Sequence, residues 1–82
     1  MKGRIIAIRG IVVDIQFDAQ NMPALSNAVV TVDYNGAGEI VTIEVLQHLD
    51  GGIVRGIAMQ TTDGLKRGCE VSDTGGPISV PV

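Results

Sequence analysis

The chain has 82 residues and a formal net charge of −3; at 8.6 kDa it has room for one compact domain and none for a second core. Apolar residues make up 45% of it but aromatics only 2%, a single Phe17 and a single Tyr34, so Ile, Val, Leu and Ala must build the core without aromatic stacking. Its six basic residues are scattered at Lys2, Arg4, Arg9, Arg55, Lys66 and Arg67, which disfavours a nucleic-acid partner, because counterion release needs concentrated positive charge.

The apolar residues come in short bursts separated by Gly, Asn, Asp and Pro every ~8–15 residues, the spacing of a small sandwich or barrel, with almost no helical periodicity. Residues 3–8 form the first predicted strand, followed through Gly10 by residues 11–17. There Val13, Ile15 and Phe17 alternate with Val12, Asp14 and Gln16, a strand with one buried face. Residues 18–27 are too polar and broken to continue it, and are read as a loop whose Met22 and Leu25 fold back as a lid. Residues 28–32 give a third strand, and Asp33-Tyr34-Asn35-Gly36-Ala37-Gly38 supplies the residues that a hairpin turn requires. In residues 40–45, Val41, Ile43 and Val45 point one way while Thr42 and Glu44 point the other. Asp50-Gly51-Gly52 closes a second hairpin into residues 53–59. Thr62-Asp63-Gly64 reads as a turn and Lys66-Arg67-Gly68 as a solvated bend. A last strand over residues 70–80 is interrupted at Gly75-Gly76. Short Ile/Val-rich strands with open edges invite aggregation unless the sheet closes. The expected fold is therefore all-β, a small closed six-stranded antiparallel β-barrel occupying residues 1–82 as a single domain.

No apolar run approaches the ~18 residues of a membrane span, and the start carries no secretory pattern. One cysteine, Cys69, has no internal partner, which suits a reducing compartment. The expectation is a cytoplasmic chain without direct membrane contact.

Four features bear on chemistry. Asp73-Thr74-Gly75 is the active-site triplet of aspartic proteases, which in small all-β chains dimerise to pair two aspartates; the alternative is a turn in which the Asp and Thr side chains bond nearby backbone N–H groups and Gly75 supplies the unusual φ. His48 is the only histidine, with no second imidazole or thiolate at ligand spacing, so a packed or solvated role is favoured over a metal ligand. Cys69 has no CxxC partner and no His nearby in sequence, which favours a half-buried structural cysteine over a reactive thiol. Gly36-Ala37-Gly38 precedes a strand rather than a helix, and no Gly-Lys-Ser/Thr occurs, so a phosphate loop is excluded. A free-standing ligand-binding barrel would normally place aromatics on its binding face, and one Tyr and one Phe argue against it.

Several segments resemble the β subunit of F-type ATP synthases: residues 10–17 and 23–28, then Glu44-Val45-Leu46-Gln47-His48-Leu49, Val54-Arg55-Gly56-Ile57-Ala58-Met59, residues 62–68 and residues 71–82, in that family's order and approximate spacing. Ile11 stands where the family usually has Pro, Asp50 where it usually has Gly, and the 33–39 link is short. The resemblance implies the N-terminal barrel of that subunit, which beside α-subunit barrels forms the crown of an alternating heterohexamer. It implies ATP synthesis or hydrolysis coupled to ion transport for the full-length protein, and a peripheral place on the cytoplasmic face of a bacterial inner membrane or its organellar equivalent. Residues 1–82 stop before the family's nucleotide-binding domain, so no catalytic, cofactor-binding or metal residue is carried over: ATP or ADP and Mg would bind the missing domain, and no cofactor is expected in this segment. The self-association of the isolated barrel is left open. Arg9, Glu44 and Arg55, at exposed strand positions, are the expected polar contacts of a crown interface.

Overall fold

The computed structural model describes residues 2–31, 40–60, 62 and 64–77. Six strands follow in chain order: β1 (Lys2–Arg9), β2 (Val12–Gln16), β3 (Asn27–Thr31), β4 (Thr42–Leu49), β5 (Ile53–Ala58) and β6 (Glu70–Pro77). They close into a barrel in the order β1-β2-β5-β4-β3-β6, and every neighbouring pair is antiparallel. The closed six-stranded barrel expected from the sequence is thus the fold observed. The hairpin turn at residues 33–38, with its Gly36-Ala37-Gly38, the Asp63 position, and the last strand beyond Pro77 lie outside the described residues.

Alternation along each strand sends one set of side chains inward. Val13 and Ile15 from β2, Ile43 and Val45 from β4, and Val54 from β5 are buried to within 1% of full exclusion, and Phe17 and Leu65 join the same cluster. β-Branched side chains suit this because their restricted χ1 packs well on a pleated, half-buried surface.

Gly56 is the narrow point of the wall. It lies opposite Val13 of β2 on one side and Val45 of β4 on the other. A Cβ built on it would stand 2.6 Å from the Glu44 carbonyl oxygen and 2.6 Å from the Ile43 Cγ2, so only a residue without a side chain lets the strands approach this closely.

Three expectations are corrected. β4 starts at Thr42, two residues after the predicted Ile40, and runs on to Leu49, because a register shift between Val45 and Gln47 takes up an extra residue against β5. Such a bulge breaks alternation without ending the strand. β6 is continuous through Gly75-Gly76 to Pro77; the extra residues there are absorbed by an irregularity opposite Asn27–Val29, with Gly75 at φ 82°. In the connection from β2 to β3, Met22 packs against the core but Leu25 is 57% exposed. Pro23 is fully buried, while the turn closed by the Asn27 N–H donating to Ala24 O (3.1 Å) carries Leu25 outward.

Candidate functional site

The same alternation that buries Val13 and Ile15 turns the Asp14 side chain to the outside of β2. The register sets it directly opposite Arg55 of β5, while Arg9 of β1 lies on the diagonal, its own partner being Val12. The Arg55 Nε donates to Asp14 Oδ1 at 2.9 Å and its Nη2 to Oδ2 at 3.2 Å. Arg9 Nη2 donates to the same Oδ2 at 3.2 Å. Two guanidiniums thus roof one carboxylate, leaving Asp14 only 7% exposed on an outward-facing position. The Arg55 hydrogen bonds hold the Asp14 carboxyl below the usual carboxylate range; burial acts against this, and the charges of Arg55 and Arg9 add to the lowering. The Arg55 guanidinium is raised in turn by the same bonds.

A carboxyl whose folded-state pKa is lowered contributes stability that is fully present above its unfolded value and lost as pH falls through the folded one. Asp14→Asn is accordingly expected to be less stable than the parent by about 1 kcal/mol at pH 7, with the gap narrowing as the pH is taken progressively below about 4. Urea melts at pH 7 and across that acid range check it; a gap that does not change with pH would remove charge from the account.

The structure therefore brings Arg9 and Arg55 together but does not bring in Glu44. Glu44 is half-buried on the outside of β4, paired with Ala28 and Ile57, and makes no ion pair among the described residues. Asp14 is the member that sequence reasoning passed over. The available signal was its type: Asp is depleted in strand interiors, and here one interrupts an otherwise β-favouring run.

Asp73-Thr74-Gly75 lies within β6, with Asp73 opposite Val29. Asp73 Oδ1 accepts the Gly75 N–H at 2.9 Å and lies 3.5 Å from Asn27 Nδ2. Thr74 Oγ1 donates to Ala28 O at 2.7 Å. The aspartate and glycine do what the turn reading expects, but the threonine ties β6 to β3 through a carbonyl instead of accepting from an N–H, and the motif is a bulge in a strand. His48 places Nε2 2.6 Å from Pro23 O. A carbonyl only accepts, so Nε2 carries the proton, and the ring pins the long connection to β4. Cys69 is half-buried with a free thiol, packed against the core, while its carbonyl accepts the Ile5 N–H at 2.9 Å. Among the described residues no group of three or more His, Cys, Asp or Glu side chains is placed to hold a metal ion, and no helix is long and apolar enough to cross a membrane.

The chemistry on offer is thus an outward charge cluster on a closed wall. A family model described as the beta-barrel domain of the ATP synthase alpha/beta family matches residues 5–75 of the chain.

Proposed function

Because the chain belongs to the ATP synthase alpha/beta family through its beta-barrel domain, we propose that it serves as the N-terminal crown domain of a β-type subunit, an assembly module that holds an alternating α/β hexamer together. The family match over residues 5–75 carries this reading, and the closed barrel supports it. The resemblance of residues 44–49 and 62–68 to β subunits favours β over α. On this reading residues 1–82 are one domain of a longer subunit, peripheral on the cytoplasmic face of a bacterial inner membrane or its organellar equivalent, whose other domains bind ATP or ADP with Mg and synthesise or hydrolyse ATP coupled to ion transport. The barrel itself does no chemistry.

Its mechanism is restraint. A barrel packed with Ile and Val has few alternative packings of similar energy, and every strand is hydrogen-bonded on both sides. Such a body keeps its shape while other domains of the subunit open and close. Arg9, Glu44 and Arg55 supply polar contacts to neighbouring barrels, where charged groups fix register and partner choice.

Light scattering over a concentration series tests the reading. The 82-residue chain alone is expected to run near 8.6 kDa, and the complete subunit mixed with α-type subunits as a hexamer. Changing Arg9, Glu44 and Arg55 to Ala, singly and together, is expected to weaken assembly, by about tenfold or more for the triple variant. A tight dimer of the barrel, or assembly untouched by all three changes, would count against it.

A further inference from the structure

The pairing that closes the barrel lies near the start of β6. Among the described residues β1 meets β6 at Lys2–Ser72, Gly3–Val71 and Arg4–Glu70. Beside them the Ile5 N–H donates to Cys69 O at 2.9 Å and the Gly68 N–H to Ile5 O at 2.7 Å. Beyond Ser72 the strand has β3 alone as a described neighbour. There Val29 pairs with Asp73 and Asn27 with Pro77, so Thr74, Gly75 and Gly76 together face the single residue Ala28. Side chains stand in for the ladder at this bulge. Asp73 Oδ1 accepts the Gly75 N–H at 2.9 Å, and Thr74 Oγ1 donates to Ala28 O at 2.7 Å, with Gly76 O as a second acceptor 3.1 Å away. A hydroxyl has one proton to donate, so the two carbonyls compete for it. A Cβ on Gly75 or Gly76 would meet nothing within 4 Å, whereas on Gly3 it would stand 2.8 Å from the Gln16 carbonyl oxygen. The bulge has room that the wall at Gly3 lacks.

Every displacement that enters through Pro77 must cross this bulge before it reaches the closing pairs. A bulge with two glycines changes its backbone angles at little cost, because neither carries a Cβ that restricts them. We propose that Thr74-Gly75-Gly76 is a joint that absorbs displacement of the chain beyond Pro77, so that the β1–β6 seam stays shut. This rests on the reading above, in which other domains of the subunit follow the barrel and move during turnover. A pull on Pro77 straightens the bulge, and its two surplus residues are the spare length. Two extended residues span roughly 6–7 Å, which sets the largest displacement taken up before the ladder at Asp73 is loaded. The Thr74 hydroxyl, with two acceptors in reach, keeps one bond as the glycines turn. Asp73 and Thr74 are positioning residues: they hold the resting shape of the bulge against β3.

The test uses the complete subunit assembled with its partner subunits. Amide hydrogen exchange in residues 3–5 and 70–73 is read by mass spectrometry, with Mg and ATP during turnover and with ADP at rest. In the parent the two conditions are expected to give the same exchange in both segments. Deleting Gly75 and Gly76 removes the spare length and sets Thr74 and Pro77 in continuous register with Ala28 and Asn27. Exchange in both segments is then expected to be about tenfold faster during turnover than at rest. Gly75→Asn combined with Gly76→Ala keeps the length and fits the open space, and Asn tolerates the φ of 82° at position 75. This second variant stiffens the joint in a folded barrel, and about a threefold difference between the two conditions is expected. A variant that is only less stable exchanges faster in both conditions alike, and that result in both variants overturns the joint. So does a parent seam that already exchanges faster during turnover, which leaves the ring reading standing. Failure of the parent subunits to form a ring that turns over ATP overturns both.

Discussion

Gly56→Ala is expected to destabilise the barrel by about 2–4 kcal/mol, although in an open strand the same change is mildly favourable because alanine has less freedom to lose. The new Cβ would sit 2.6 Å from the Glu44 carbonyl oxygen. That atom belongs to backbone, in a strand paired with β3 and with β5, and it cannot step aside without breaking a ladder. For a domain of this size the loss corresponds to a fall in Tm of roughly 10–25 °C, read by thermal melting. Gly76→Ala is the control: a Cβ there meets nothing within 4 Å, and the change is expected to stay within about 0.5 kcal/mol. Equal effects at the two positions would mean that glycine matters here through chain entropy and not through close approach.

Ile43→Ala is expected to remove about 3–4 kcal/mol. Ile43 is completely buried, and the closed wall around it limits collapse into the vacated space. Since a chain of this length has a total stability of roughly 4–12 kcal/mol, this single truncation consumes a large share of it, and urea unfolding should show a midpoint shift with little change in slope. The two sites are coupled. Ile43 Cγ2 is one of the two atoms a Cβ at position 56 would strike, so the double variant should be more stable than the sum of the single effects predicts, by about 0.5–1 kcal/mol. It should remain well below the parent, because the Glu44 oxygen is still in place.

What the sequence disclosed follows the range over which each feature is encoded. The alternation of Val13, Ile15 and Phe17 is local, and it places β2 and its buried face. The pairing of strands around Asp50-Gly51-Gly52 is likewise written in turn chemistry. The bulge after Val45 is less legible: Leu46-Gln47-His48-Leu49 loses its alternation, and the strand continues only because β5 still pairs with Gln47, His48 and Leu49. The Asp14 cluster was the hardest to see. Arg55 lies 41 residues from Asp14 in the chain, and their meeting depends on a β2–β5 register that nothing near either residue announces. Exposed strand positions marked Arg9 and Arg55, but not that one carboxylate holds both. Glu44 was selected on the same grounds, and the wall keeps it apart from them.

The seam between β1 and β6 also has a meaning in time. Lys2 pairs with Ser72 and Arg4 with Glu70, so the first of these six strands to leave the ribosome waits for the sixth before its outer ladder is complete. Contacts this distant along the chain form slowly, and chains caught before making them expose apolar surface and unpaired edges. A nascent chain halted short of Glu70 has at best an open sheet ordered β1-β2-β5-β4-β3, with β1 and β3 as bare margins. A pause in translation there prolongs the exposure of both margins, and the time taken to synthesise β6 sets how long the unfinished barrel stays vulnerable.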